Sequence, residues 1–383
     1  MKSYDLIYVL HREEPSETFI RREIDALRAI SIPVRVYVLD APQVKLAIPP
    51  GLRRALLHQL VIRLLAPPFS LSYAARLIRQ APRALRLAAE VAPLACPRLH
   101  AQFAWSAADA SALAAAALGI PWTCSVHAWD VFTRPLRETR ARLATAAGVT
   151  ACTRRAADAL RAAGIPEARI RVIRHGLDSA AFPFDPERPA GRIAAVGRLV
   201  PKKGFDTLLD ACALLRKAGV PFTCTLVGDG PERGRLEWQA AAAGIADAVI
   251  FTGWIAPDAA QRIIAGATVL VHPSRRLANA DTDGFPNVLS EAMFLGTPIV
   301  TTPAGAAAEL LCDCARFVPS DDPEALAEAL ATLLRNPETC RHLAAAARQT
   351  ADTHLNQTRL IRQLAAFLEE RPCGDGFAEA VEA

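Results

Sequence analysis

The stretch RIAAVGRLVPKKGF, residues 192–205, decides the fold. Residues 192–196 form a short apolar run closed by Gly197, and a helical pattern opens at Phe205. That order is strand, turn, helix, the opening of a parallel βαβ unit. The same grammar continues downstream. Strands are expected at 223–227, 249–252, 269–271, 298–302 and 315–318, with helices at about 205–218, 231–243, 258–265, 286–295 and 322–335. Upstream, strands are expected at 5–10, 34–39, 99–103, 122–126, 148–152 and 170–173, with a helix over 17–29 that Ser16 would cap.

The chain of 383 residues is long enough for two domains, each with its own core. Residues 182–191 (FPFDPERPAG) break the periodicity and read as an interdomain linker. The expected architecture is therefore α/β: two Rossmann-like, doubly wound domains facing a central cleft. Residues 1–181 would form the first and 192–353 the second. A C-terminal helix over 354–371 would return to the first domain, and 372–383 would form a flexible tail. In such sheets ligands sit beyond the carboxyl ends of the strands.

Composition narrows the function class. Hydrophobic residues make up 52% and charged residues 22%, a globular balance. The most apolar stretch, 111–126, contains Pro121 and is mostly alanine, too weak to span a bilayer. Nine cysteines without a CxxC pair give no zinc site and are expected to be reduced. A net charge of +5 hides an asymmetry: residues 1–180 carry +11 and residues 181–383 carry −6. Across 52–89, Arg53, Arg54, Arg63, Arg76, Arg79, Arg83 and Arg86 alternate with Leu, Ile and Phe69. A basic amphipathic face of that kind suits an anionic membrane surface, although a solvated helix pair has the same composition. No aromatic-rich RNA motif or helix-turn-helix accompanies the charge, so nucleic acid is not expected as a partner. The expected localisation is cytoplasmic, on the inner face of a membrane where the basic segment binds one.

Three segments at strand ends carry candidate chemistry. In Gly197-Arg198-Leu199-Val200-Pro201-Lys202-Lys203-Gly204, a guanidinium, an ammonium and the first free amides of the next helix would meet a diphosphate. A solvated basic turn reads the same way, and the segment is neither a P-loop nor a GxGxxG loop. In Val227-Gly228-Asp229-Gly230-Pro231 the two glycines permit a tight turn or a close ligand. In Asp283-Gly284-Phe285-Pro286-Asn287-Val288-Leu289-Ser290-Glu291, two carboxylates bracket a helix start, and carboxylates accept well from sugar hydroxyls.

In order and spacing, these segments resemble the C-terminal domain of glycosyltransferase family 4. The likeness extends through Phe251-Thr-Gly253-Trp254, His272-Pro273-Ser274, Gly296-Thr-Pro-Ile-Val300 and Glu309-Leu310. The N-terminal half resembles the colanic-acid-type exopolysaccharide transferases through Pro15-Ser-Glu17-Thr18-Phe19-Ile20, Glu23-Ile24, His100-Ala-Gln-Phe103-Ala104 and His127-Ala-Trp129-Asp130. The resemblance implies a GT-B fold and a retaining transferase that takes a nucleotide diphosphate sugar, with neither metal nor cofactor. The acceptor it implies is a glycan or polyprenyl-diphosphate-linked glycan in exopolysaccharide, lipopolysaccharide or other cell-surface polysaccharide synthesis.

By the same resemblance, Arg198 and Lys203 hold the donor diphosphate and Glu291 the ribose. Asp283, where the family usually has Glu, reaches the donor sugar. Gly284, Phe285, Pro286, Asn287 and Val288 lie near that sugar, with Gly228 and Gly230 in the donor pocket. Gly253 and Trp254 lie near the base, and His127 at the reacting sugar. The family's Gly-Gly-x-Pro-Glu reads Gly305-Ala-Ala-Ala308-Glu309 here, and Glu13-Glu14-Pro15-Ser16 replaces an N-terminal glycine-rich loop. Asp281-Thr-Asp283 has the form of a metal-binding DxD, but it precedes a helix and overlaps the acid pair. A nucleotide-sugar epimerase or phosphorylase on a related fold is the alternative.

Overall fold

A computed structural model describes residues 4–12, 17–41, 48–65 and 71–370. Ser16 as a cap, the Glu13–Ser16 segment, Phe69 and the tail at 372–383 lie outside the described residues. The described chain divides into two units, one running to Arg174 and resuming at Thr358, the other spanning His175–Gln357.

Unit 1 holds strands β1 (Asp5–Leu10), β2 (Val34–Val38), β3 (Pro97–Gln102), β4 (Trp122–Val126), β5 (Gly148–Ala151) and β6 (Ile170–Val172). Its helices are α1 (Thr18–Ala29), α2 (Pro50–Leu65), α3 (Leu71–Val91), α4 (Ser106–Leu118), α5 (Ala128–Phe132), α6 (Leu136–Leu143) and α7 (Arg154–Ala162). Unit 2 holds β7 (Arg192–Val196), β8 (Thr223–Val227), β9 (Val249–Phe251), β10 (Val269–His272), β11 (Ile299–Thr301) and β12 (Arg316–Phe317). Its helices are α8 (Phe205–Lys217), α9 (Arg233–Ala242), α10 (Pro257–Ala265), α11 (Asn287–Leu295), α12 (Ala308–Leu311), α13 (Pro323–Arg335) and α14 (Pro337–His354). A last helix, α15 (Gln357–Glu369), follows. Each unit is thus the doubly wound α/β domain that the alternating pattern implies.

Both sheets are parallel, in the orders β2-β1-β3-β4-β5-β6 and β12-β11-β10-β7-β8-β9. The strand order reverses between β1 and β3 in unit 1 and between β7 and β10 in unit 2. A parallel sheet is covered on both faces, so each unit has two cores. Along β1, Ile7 and Val9 enter one core while Leu6, Tyr8 and Leu10 enter the other. On β7, Ile193 and Ala195 pack on one side and Ala194 on the other. The alanine-rich α4 is buried nearly all round, because small side chains let it lie close to β1, β3 and α3. Among the described residues no helix is long and apolar enough to cross a membrane.

Three expectations need correction. The stretch 182–191 is not a free linker. Phe182 is buried in the unit 2 core against Phe294, and the Arg188 guanidinium caps the carbonyls of Ala265, Leu295 and Gly296. Phe182 and Arg188 tie the segment to unit 2, and the first unit ends at Arg174 rather than 181. α15 packs Ile361, Leu364 and Leu368 against Tyr4, Leu6 and Tyr8 of unit 1. Among the described residues seven cysteines are free thiols, but Cys96 is disulfide-bonded rather than reduced. Finally, the basic face of α2 and α3 is smaller than seven arginines. Arg63 is spent on Thr145, Arg76 on Glu138 and Arg83 on Asp40.

Candidate active site

In unit 2 the reversal point lies between β7 and β10, where such sheets bind ligands. The turn after β7 carries Gly197, Arg198 and Lys203. The loop after β10 carries Asp281 and Asp283, and the strand ends in His272. These side chains form a compact charge cluster. Lys203 Nζ lies 2.8 Å from Asp283 Oδ2, and His272 Nε2 lies 3.0 Å from the same oxygen. Lys202 Nζ pairs with Asp281 Oδ1 at 2.9 Å and sits 3.8 Å from Asp283 Oδ1.

Burial alone would push the Asp283 carboxyl up. Lys203, His272 and Lys202 together outweigh it and hold the group well below the usual carboxylate range. Burial, with Lys203 close by, pushes His272 below the usual imidazole range. The neutral ring then gives its Nε2 proton to Asp283. An ammonium has three protons, so one engages Asp283 and two remain for another acceptor.

The glycines are dictated by backbone crossing. The turn after β7 and the turn after β8 interlock through Gly197 N–Val227 O and Leu199 N–Asp229 O, each 2.9 Å. Gly228 has φ 130°, and a Cβ there would stand 2.0 Å from the Gly197 carbonyl oxygen. A Cβ on Gly230 would stand 2.4 Å from that of Leu199. Gly253 bridges to Gly228 and is buried, whereas Trp254 beside it is exposed. Gly305 has φ 72°, and its Cβ would meet the Asp283 carbonyl oxygen at 2.3 Å. The loop at 305–309 therefore braces the Asp283-Gly284 turn, helped by Ala306 N donating to Gly284 O.

Other expected residues separate. Arg198 is exposed and makes no side-chain hydrogen bond or ion pair among the described residues. The first turn of α8, expected to complete a phosphate cradle, is instead held by Arg275. Its guanidinium takes Asp206 at 2.6 and 3.0 Å and Thr207 Oγ1 at 2.8 Å. Asp206 already supplies the negative charge that a helix start attracts. Phe285, Pro286 and Asn287 are half-buried at the start of α11, Val288 is buried, and Glu291 is half-buried inside the helix.

In unit 1, His127 follows β4 as the cap of α5. Its backbone N–H donates to Asp130 Oδ2 at 2.9 Å, and its ring lies between Phe103 and Phe19. Asp130, noted beside it, is thus a capping partner. Burial raises its carboxyl to about 6 despite the backbone donors. The ring's Nε2 lies 3.1 Å from Gln102 Oε1. Gln102 Nε2 donates to Glu23 Oε1 at 3.0 Å, and Tyr8 donates to the same oxygen at 2.7 Å. Burial raises Glu23 to about 7, against both hydrogen bonds. His100 is fully internal, bonded to Thr123 and Ser125, and burial lowers it to about 3.

Two family models match this chain in tandem. "Glycosyltransferase Family 4" matches residues 16–181, and "Glycosyl transferases group 1" matches residues 184–350. The chain belongs to the family 4 glycosyltransferases. As a family 4 chain it is 31% identical over 215 residues to the amylovoran biosynthesis glycosyltransferase of Erwinia amylovora, covering 55% of this chain and 53% of that one. It is 33% identical over 229 residues to the GDP-mannose-dependent alpha-(1-6)-phosphatidylinositol monomannoside mannosyltransferase of Mycolicibacterium smegmatis, covering 58% and 57%. The matched region thus spans about half the length of these relatives. The GT-B fold is shared with Anabaena HepE, solved in complex with UDP-glucose, at a TM-score of 0.69 and 19% identity, over 96% of this chain and 99% of that one.

Sequence reasoning missed how this family 4 chain uses His272 and Glu23. His272 stood inside a family-like tripeptide, but its bond to Asp283 joins residues 11 apart across a turn. Glu23 stood only in a family-like pair, Glu23-Ile24. Its half-buried position against Tyr8 and Gln102 appears only once β1 and β3 are adjacent.

Proposed function

We propose that this family 4 chain transfers a hexosyl group, with retention, from a nucleotide diphosphate sugar. The acceptor in this reading is a glycan or lipid-linked glycan of exopolysaccharide or cell-surface polysaccharide synthesis. The observation that carries the reading is the Lys203–Asp283–His272 cluster at the reversal point of unit 2. Relatives named for polysaccharide and mannoside assembly, and a structural neighbour bound to UDP-glucose, support it.

The chemistry follows from the charges. Arg198 and the two spare Lys203 protons neutralise the negative charge that grows on the departing diphosphate. Asp283 keeps Lys203 aimed at that charge and offers its remaining lone pairs to sugar hydroxyls. Glu291 takes the ribose hydroxyls. With no protein nucleophile in this scheme, a leaving phosphate oxygen accepts the acceptor's hydroxyl proton. The new bond then forms on the face the diphosphate leaves, which retains the anomeric configuration. Asp281 and Asp283 each face a lysine, so the scheme assigns them to ion pairing rather than metal ligation.

The test is a thermal-shift panel of UDP-, GDP- and ADP-sugars, followed by NMR of the anomeric coupling in the product. A shift with one base and an axial-to-axial outcome is expected with an α-linked donor. No shift with any nucleotide sugar sinks the reading. Turnover of donor without acceptor would favour the epimerase or phosphorylase alternative.

The same reading extends to a membrane surface. Leu57, Val61, Ile62, Leu65, Leu71 and Ile78 are exposed on α2 and α3. Arg53, Arg54 and Arg79 are exposed beside them. Apolar insertion plus cationic attraction is how peripheral helices hold an anionic leaflet. Sedimentation with phosphatidylglycerol vesicles, weakened by salt, is the expected result; equal binding to neutral vesicles or none at all counts against it.

A further inference from the structure

Unit 1 contains a second cationic cluster that the donor chemistry does not use. Trp105 follows β3 at the start of α4, and three guanidinium carbons lie around its ring. Arg76 is 4.5 Å from the ring centroid, Arg134 4.1 Å and Arg142 4.5 Å. Arg134 also lies 4.4 Å from Trp129, which stands edge-on to Trp105. Three carboxylates face these three cations, Asp130 acting on Arg134 and Arg142 without a direct ion pair. Glu138 pairs with Arg76 at 2.5 Å and lies 3.7 Å from Arg142, and Asp109 lies 3.3 Å from Arg142 Nε.

Of the three, Arg134 is the one with no direct ion pair and no hydrogen bond among the described residues, its Nε included. Arg142 is fully buried, yet both its terminal nitrogens lack a hydrogen-bond partner, as does Arg76 Nε. Buried guanidinium N–H groups are costly to leave unmet. Aromatic contact fixes Arg134 without neutralising it, which pre-orients a fork that matches phosphate oxygens. Trp129 is 38% exposed alongside, a flat face of the kind that sugars stack on. The cluster sits just past the carboxyl ends of β3 and β4, where unit 1 would take its own ligand.

The geometry points to a phosphoryl-binding site in unit 1. Arg134 is its leading cation, Arg76 and Arg142 stand behind it, and the group bound is a phosphate or diphosphate, free or carried on a sugar that lies on Trp129. This deepens the reading of the chain as a transferase, since it gives the acceptor side an anionic ligand.

The test uses the full chain in an R198A/K203A background, so that the donor cluster cannot contribute. Inorganic diphosphate and glucose 1-phosphate are each titrated calorimetrically. Binding that Arg134→Gln weakens about tenfold or more is expected. Equal loss with both ligands assigns the site to the phosphoryl group alone. Tighter binding of glucose 1-phosphate, abolished further by Trp129→Ala, assigns the sugar-borne source. Binding unchanged by both Arg134→Gln and Trp129→Ala, or no binding to either ligand, overturns the proposal. Nucleotide-sugar binding to the unsubstituted chain is measured alongside, so a failed donor reading is told apart from a failed site in unit 1. Should Arg134→Gln not fold, Arg134→Lys keeps the charge, loses the fork and is expected to bind several-fold more weakly.

Discussion

Asp283 Oδ2 receives both Lys203 Nζ and His272 Nε2, at 2.8 and 3.0 Å, so one carboxylate oxygen organises the charge cluster of unit 2. Its side chain is 11% exposed and that of Lys203 12%. Asp283→Asn keeps the shape and removes the charge, leaving a mostly buried ammonium unpaired. A loss of about 2–3 kcal/mol in urea unfolding is expected, the lower end allowing for residual solvent. The sign with pH follows from the direction of the shift. A carboxyl held below its unfolded value stabilises the fold above about pH 4, and that stability is lost as pH falls further. The N variant should therefore show a flatter acid limb than the unsubstituted chain; parallel limbs would contradict the pairing.

Arg198 and Lys203 are expected to separate cleanly. Arg198 is exposed and unengaged, so Arg198→Ala should change unfolding free energy by no more than about 0.5 kcal/mol. It should still weaken nucleotide diphosphate binding about tenfold. Lys203→Ala removes the proposed phosphate partner and also the close cation of Asp283, which keeps His272 at 3.0 Å and Lys202 only at 3.8 Å. It should lower kcat/KM by about a hundredfold and cost stability as well. Denaturation and calorimetry on the two variants check this, and equal stability losses would show that Lys203 is not structurally engaged.

Most of the fold was legible because parallel strands are continuous apolar runs cut off by glycine, proline or charge. Residues 5–10, 192–196 and 223–227 are strands to the residue. The segment at 182–191 misled because proline and charge masked Phe182, whose burial depends on packing against Phe294 of α11 and its neighbours. The site was legible as a set of residues and not as a set of bonds. Lys203 and Asp283 are 80 residues apart, and Gln102 and Glu23 are 79 apart. Each pairing exists only because the sheet order sets two distant strand ends side by side.

Glycine positions allow a sharper test of the backbone argument. Gly228 has φ 130°, and its Cβ would meet a carbonyl oxygen at 2.0 Å, so both strain and collision oppose a side chain. Gly228→Ala should cost about 3 kcal/mol or more and splay the turns after β7 and β8. Gly219 has φ 66° with nothing within 4 Å of its Cβ position. Gly219→Ala should cost only the left-handed conformation, about 1–2 kcal/mol. Chemical denaturation of the pair measures the difference. If the two variants were equally stable, the interlocked turns could not be what fixes Gly228.

Glu23 governs His127 through an intermediary, Gln102. Above about pH 7, where Glu23 is ionised and only accepts, Gln102 must turn its NH2 toward Glu23 and its carbonyl toward His127. The His127 Nε2 then carries the proton. Glu23→Gln removes that obligation, because a neutral amide can accept or donate, and His127 should populate both tautomers, visible in ring 15N shifts. A pH signature accompanies it. Burial raises Glu23 from 4.5 to about 7, so its contribution to stability is fully present below pH 4.5 and is lost as pH rises through 7. Asp130, raised to about 6, slopes the same way and is unaltered by the substitution. The difference between the unsubstituted and Glu23→Gln curves isolates Glu23, and it should amount to about 1–3 kcal/mol between pH 4.5 and 8, the lower end allowing for partial exposure. A flat difference curve with an unchanged 15N spectrum would leave His127 under the control of Asp130 and the phenylalanines alone.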